Sequence, residues 1–284
     1  KFLNMFKKNH FNLDYILFIF IPISIILGPT ISLLNIILFS FYYIYQNLKI
    51  EEFKSLIKNK TILLLILLNL YLILHTFVSL DSSISIFRNF GFIRFIIFFI
   101  AINFFFYQNN YNIYVLKPWL IIFSIFIFDV FFERFYGTNI LGYGAIDTSH
   151  GSRIVSFFKD EPIAGAYING FLFLILGYIS LVLKKRGDFY KYFSLLFFVL
   201  FLISVLVTGE RSNTIKAILG FSIFFLFLDF FKIKFKLLFF FLIISLISSV
   251  IIKSDFLKNR FIGQLYNNII YEEKRDYFLE NNVY

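Results

Sequence analysis

Nine apolar runs, at 14–27, 30–45, 61–80, 84–107, 115–132, 162–183, 192–207, 213–231 and 235–252, set the terms on which this chain can fold. Most approach the roughly 20 residues with which a helix crosses a hydrocarbon layer about 30 Å thick. Inside that layer every backbone N–H and C=O needs a partner within the chain, which leaves helices or a closed barrel. The alternation of a barrel strand is missing, and a charged content of 15% is too low for a barrel's polar lumen. With 60% hydrophobic residues and 46 Phe in 284 residues, a soluble domain has no core large enough to hide its apolar surface. The expected fold class is all-α, a polytopic transmembrane helical bundle of about nine spans, with 1–284 as one integral membrane domain.

The links between the runs carry ordinary punctuation. Gly28 ends the first run and Pro29 opens the second, as the first helical position allows. Asp81, Ser82 and Ser83 join the third run to the fourth. The segment 133–161 is a Gly-rich loop with Gly137, Gly142, Gly144 and Gly151. From Lys253 the chain turns polar, and 253–284 reads as the start of a large loop. The short loops at 46–60, 184–191 and 232–236 are basic, whereas those at 28–29 and 81–83 on the alternate side have no Lys or Arg. Lys and Arg collect in cytoplasmic loops, so the N-terminus is expected inside. The Gly-rich loop, the stretch 208–216 and the tail then face the periplasm.

The net charge of +10 is read in the same way, as cytoplasmic loop charge, and not as a nucleic-acid surface. No cleavable signal peptide is expected, because Lys7 and Lys8 lead into an apolar run that no small-residue cleavage motif follows. A chain without Cys has neither disulfides nor thiolate metal sites. His10, His75 and His150 are scattered, and no Gly-x-Gly-x-x-Gly, P-loop or Asp-x-Asp pattern occurs. Neither metal nor cofactor is expected.

Charges inside or at the edge of apolar runs are costly, and each needs a reason. Arg88 and Arg94 lie in the fourth run. At 1.5 Å per residue they fall about 6 Å and about 15 Å below its outer end. Arg88 can reach the interface along its own stem. Arg94 is expected to face the bundle interior or a cavity. Asp129 in the fifth run lies at a depth close to Arg88, and an ion pair between them accounts for both. His75 reads as a hydrogen-bonded packing residue. Arg211 stands at the mouth of the eighth run, where Ser212, Asn213 and Thr214 offer helix caps. An outward helix N-terminus, Arg211, and Lys216 about 7 Å deeper together make an anion site. Glu210 tethers Arg211 or shapes the pocket; the bland alternative is a capped helix with an interfacial Arg. Arg153, Lys159, Asp160 and Glu161 crowd the end of the Gly-rich loop. Its two acids read as an acid–base pair or as dipole complements at a helix start.

Taken in order, several motifs resemble the bacterial O-antigen polymerase and O-antigen ligase superfamily. They are Pro22 to Pro29, the Arg-Asn-Phe-Gly-Phe-Ile-Arg of 88–94, Asp129 followed by Tyr-Gly-Thr-Asn-Ile-Leu-Gly at 136–142, the 151–165 segment, and Thr-Gly-Glu-Arg-Ser at 208–212. The resemblance runs along essentially the whole chain. It implies a glycosyltransferase of the inner (cytoplasmic) membrane whose periplasmic face takes a glycan from an undecaprenyl-diphosphate-linked donor. The acceptor would be the lipid A core or a second lipid-linked glycan; membrane lipids are the other partners, and nucleic acid is not one. It also implies that Arg211 and Arg260 hold the diphosphate, with Arg153 on the same face. Glu210, Lys216, Glu161, Arg88 and Arg94 are possible supporting residues. The family's catalytic His follows the start of the large loop, and no His follows His150 here. The chain is therefore expected to be a fragment, with that His beyond Tyr284. Guanidinium forks suit phosphate oxygens and the charge of a diphosphate leaving group.

Two other classes fit the apolar bulk, a lipid-linked glycan flippase or other secondary transporter, and a structural subunit. Transporters of this kind show internal repeats and charged helices near the midplane. No repeat relates the two halves here, and a structural role leaves Arg153, Arg211 and Arg260 on one side unexplained. The natural absence of Cys makes the orientation directly testable. In cells with a permeabilised outer membrane, Ser83→Cys and Ser212→Cys should react with an impermeant maleimide, and Lys185→Cys should not. The opposite pattern would invert the topology.

Overall fold

The apolar runs are largely helical, and no strand occurs among the described residues. The computed structural model describes residues 13–47, 59–79, 81–108, 113–144, 153–159, 161–184, 188–229, 231–264 and 266. The helices are α1 (Leu13–Leu27), α2 (Pro29–Asn47), α3 (Lys60–His75), α4 (Ser82–Gly91), α5 (Ile93–Gln108) and α6 (Lys117–Tyr136). They continue with α7 (Ala164–Lys184), α8 (Asp188–Val207), α9 (Arg211–Phe227), α10 (Ile233–Lys253) and the short α11 (Asp255–Lys258). Five helical stretches are long and apolar enough to cross a membrane: Lys60–Val78, Ser82–Phe106, Tyr114–Tyr136, Ala164–Val182 and Ile233–Lys253. Leu13–Leu27, Pro29–Tyr45 and Ser194–Val207 are shorter apolar helices. Of the nine expected spans, five correspond to helices long and apolar enough to cross a membrane.

The chain divides into two compact units, Lys1–Pro118 and Trp119–Tyr284. In the first, Gly28 takes a φ of +120° between α1 and α2, a conformation open to glycine and strained for other residues. The hairpin closes on aromatic contacts. Phe18 of α1 stacks on Phe105 of α5 at 4.4 Å, and Phe39 of α2 meets the same ring edge-on at 5.9 Å. Asn35 Nδ2 donates to the Leu17 carbonyl at 3.3 Å, and Tyr43 Oη donates to Asp14 Oδ2 at 3.5 Å, so polar bonds cross the hairpin as well.

The fourth run stays one stretch long enough to cross a membrane, with a single irregular residue, Phe92, between α4 and α5. Its neighbour α3 is bonded to it there. Asn69 Nδ2 donates to the Asn89 carbonyl at 3.0 Å, and that carbonyl also takes the Phe92 N–H at 3.3 Å, one residue short of the helical partner. Asn89 Nδ2 in turn donates to the Leu72 carbonyl at 2.7 Å and Thr76 Oγ1 at 2.8 Å. These polar bonds tie α3 to α4 beside the irregular residue, as a medium without water favours.

In the second unit, α6 and α7 pack through Phe123 and Phe126 against Tyr167, with ring centroids 5.1 and 4.6 Å apart. Phe198 of α8 meets Phe221 of α9 at 5.8 Å, and Phe225 of α9 meets Phe239 of α10 at 5.0 Å. Buried Lys236 is consistent with this apolar setting because its Nζ donates to the Leu226 carbonyl at 2.6 Å, beside the C-terminal end of α9. A cation there meets the negative end of the helix dipole. The Gly-rich loop begins later than the sequence suggests, since Glu133 to Tyr136 continue α6. The helix carries on because Glu133 is buried against the loop it precedes.

Candidate anion-binding site

Helix α8 ends at Val207 and α9 begins at Arg211, which leaves Thr208, Gly209 and Glu210 to turn the chain. Gly209 does so at a φ of +77°, where a Cβ would also come within 2.8 Å of the Phe256 ring. Glycine is therefore required twice over, for its backbone and for the ring packed on it.

Each residue of this turn holds a different distant segment. The Thr208 carbonyl accepts the Ile154 N–H at 3.3 Å, which docks the end of the Gly-rich loop. The Gly209 carbonyl accepts Arg260 Nε at 3.3 Å, which docks the segment after α11. The Glu210 carboxylate accepts the Gly165 N–H at 2.6 Å and the Ala166 N–H, so it caps the first turn of α7. Free N–H groups and the positive dipole end make that position favourable for a carboxylate. Asn213 Nδ2 donates to the other Glu210 oxygen. Gly165 admits this approach, because a Cβ there would lie 2.6 Å from Thr208 Oγ1 and 3.0 Å from the Glu210 carboxylate carbon. Burial raises the Glu210 pKa, against the opposing pull of Asn213, the two N–H groups and the Arg153 charge.

Three cations gather at the turn. Arg153 precedes Ile154; its Nε is buried and makes no hydrogen bond among the described residues. Arg211 is the first residue of α9. Arg260 lies in a single π-helical turn, Asn259–Gly263, and its Nη1 also donates to Gln264 Oε1 at 2.6 Å. Burial, and then the charges of Arg153 and Arg211, hold the Arg260 guanidinium below its ordinary pKa. Arg260 thus lies within reach of the like charges of Arg153 and Arg211. Glu210, whose carboxylate feels the Arg153 charge, is committed to α7 and Asn213. A fourth cation stands behind them, where Arg134 of α6 lies 4.2 Å over the Phe256 ring and its Nη2 donates to Ser254 Oγ at 3.3 Å. An anion with several oxygens is what such a cluster lacks.

Of the residues singled out in the sequence, Arg153, Glu210, Arg211 and Arg260 come together. Lys216, further along α9, and Glu161, before α7, are both exposed. Arg88 and Arg94 belong to the other unit and are exposed as well. Arg94 does not face the interior as expected; α4 buries none of its residues, and just past Phe92 Arg94 lies beside Phe95, its guanidinium 4.9 Å from the ring. His75 is exposed too and tilts against Tyr71 at 6.0 Å. Asp129 finds partners other than the Arg88 proposed for it: the Ile140 N–H at 2.9 Å and Ser156 Oγ at 2.6 Å. Asp160, His150, Gly151 and the tail beyond Tyr266 lie outside the described residues.

The sequence reading missed Glu133, Asn139 and Ser156. Glu133 accepts the Val155 N–H at 3.0 Å and the Ser156 N–H at 2.6 Å. Asn139 Nδ2 donates to the Ser156 carbonyl at 2.8 Å. The available signal was the spacing of Asp129 and Glu133, which puts both on one face of α6.

No family model matches the chain, and neither a curated protein nor a solved structure matches it.

The cap on α7 makes a direct prediction. Glu210→Ala leaves the Gly165 and Ala166 N–H groups without their acceptor and removes a carboxylate that feels the Arg153 charge. The purified protein should lose about 1–3 kcal/mol of stability. Thermal unfolding in detergent would show it, and an unchanged midpoint would mean that the cap carries no weight.

Proposed function

We propose that the protein is a membrane glycosyltransferase that polymerises or ligates a surface polysaccharide of the O-antigen kind. The donor is an undecaprenyl-diphosphate-linked glycan, and the acceptor is a second lipid-linked glycan or the lipid A core. The N-terminus is cytoplasmic and the arginine cluster works at the periplasmic face of the inner membrane. The observation that carries this reading is the convergence of Arg153, Arg211 and Arg260 on one turn, with the Glu210 carboxylate already engaged elsewhere.

The chemistry follows from what the cluster can stabilise. The bond between the anomeric carbon and the diphosphate oxygen breaks, and the electron pair leaves with the lipid diphosphate. The acceptor hydroxyl oxygen bonds the same carbon and gives its proton to a general base. Negative charge grows on the leaving group, where fixed guanidinium groups act without reorganisation. Guanidinium forks match the oxygens of such a group in geometry as well as charge. The motif order from 88–94 to 208–212 supports the same assignment through the resemblance set out above.

The test is glycan transfer from a purified lipid-linked donor by the full-length protein in detergent or nanodiscs. Arg211→Ala and Arg260→Ala should each lower the rate by about 100-fold or more while the protein still inserts and purifies. Full transfer by both variants would remove the arginines from the reaction. Movement of the donor across a bilayer without transfer would show a transporter instead.

A further inference from the structure

We propose that Asp129 and Glu133, acting on Ser156, are positioning residues that set Arg153 against Arg260 and Arg211. This rests on the reading of the cluster as a diphosphate site and adds to it a means by which the site is held open for its ligand.

The two carboxylates stand one turn apart on the same face of α6, at 0% and 3% exposure. All four of their oxygens are spent on the loop. Glu133 takes the Val155 and Ser156 N–H groups, one on each oxygen. Asp129 takes the Ile140 N–H on one oxygen and Ser156 Oγ on the other. Both acids are buried and bond the loop through every oxygen, which suits a positioning role. Ser156 is the object of this arrangement. Its N–H, hydroxyl and carbonyl are all bonded, the last to Asn139 Nδ2, and its φ is +51°. A serine in that region of backbone space needs surrounding bonds to hold it there.

The consequence falls on Arg153. Ile154 is tied to Thr208 on one side, and Val155 and Ser156 are tied to α6 on the other. The backbone beside Arg153 is therefore pinned between α6 and the Gly209 turn. Its Cγ lies against the Gly209 turn, 3.9 Å from where a Cβ would stand, its Nε is buried without a bond among the described residues, and its charge acts on Arg260. The unbonded Nε and the like charge both favour relaxation of the side chain if its backbone is free to follow. The buried acids oppose that relaxation. They keep an unpaired N–H and a repelled cation in place, where the oxygens of an incoming diphosphate complete both.

The experiment measures inorganic pyrophosphate binding to the full-length protein in detergent, for Glu133→Gln, Arg153→Ala and the double variant. Each single change should weaken binding by about tenfold, and the double variant should be no weaker than Arg153→Ala, since contacts in series are not additive. Ser156→Ala, which removes only the bond to Asp129, covers the case in which Glu133→Gln does not fold, and the same non-additivity is expected of it. If either change weakens binding equally in the Arg153→Ala background, the clamp supports the fold at large and the inference fails. If Arg211→Ala and Arg260→Ala weaken binding while Arg153→Ala does not, the diphosphate reading stands and this inference alone falls. If none of the three arginine variants differs from wild type, the diphosphate reading itself is overturned.

Discussion

The turn from α8 to α9 is the constraint on which the second unit depends. Three successive residues hold three segments that the chain supplies far apart: Ile154 through the Thr208 carbonyl, Arg260 through that of Gly209, and the start of α7 through the Glu210 carboxylate. The positive φ of Gly209 makes this possible, because it turns the chain within the space left by Phe256. A backbone carbonyl and a buried carboxylate need partners where water is scarce. Here the two carbonyls are met by the segments that carry Arg153 and Arg260, and the carboxylate by the start of α7.

The electrostatics of the unit then divide into two settled parts and one unsettled one. Acid meets N–H at the α7 start and again at Ser156, in charge-assisted bonds that are stronger than neutral ones. Cation meets aromatic ring where Arg134 covers Phe256. Between these, Arg153, Arg211 and Arg260 gather at one turn, where the charges of the first two act against that of Arg260. Like charges in partial burial are destabilising unless a ligand neutralises them. Sites for anions have this imbalance by design, and the cost is recovered on binding.

Much of this was legible in the residues themselves. The apolar runs gave the helices, because their length and composition leave few alternatives in a membrane. The charged island at 208–216 and the arginines at 153 and 260 stood out against apolar surroundings. What could not be read was long-range pairing. Nothing in the sequence ties Glu210 to Gly165 or Glu133 to Ser156, since those bonds depend on how helices pack. The same holds for Arg94, expected from its depth to face the interior or a cavity. Depth along a run does not give the face, and Arg94 lies exposed beside Phe95. Asp129 drew attention as a buried charge, but its partners came from a loop and not from the arginine at matching depth.

The arrangement joins a membrane-embedded scaffold to a cationic surface built from three separated segments. For a lipid-linked diphosphate, such a site offers charge for the headgroup beside apolar helices for the chain. An experimental structure of the full-length protein with a bound polyprenyl diphosphate tests this most directly. The account predicts the two phosphates between Arg153, Arg211 and Arg260, with Arg153 Nε donating to a phosphate oxygen. A lipid diphosphate bound elsewhere, with the three guanidinium groups unliganded, would contradict it.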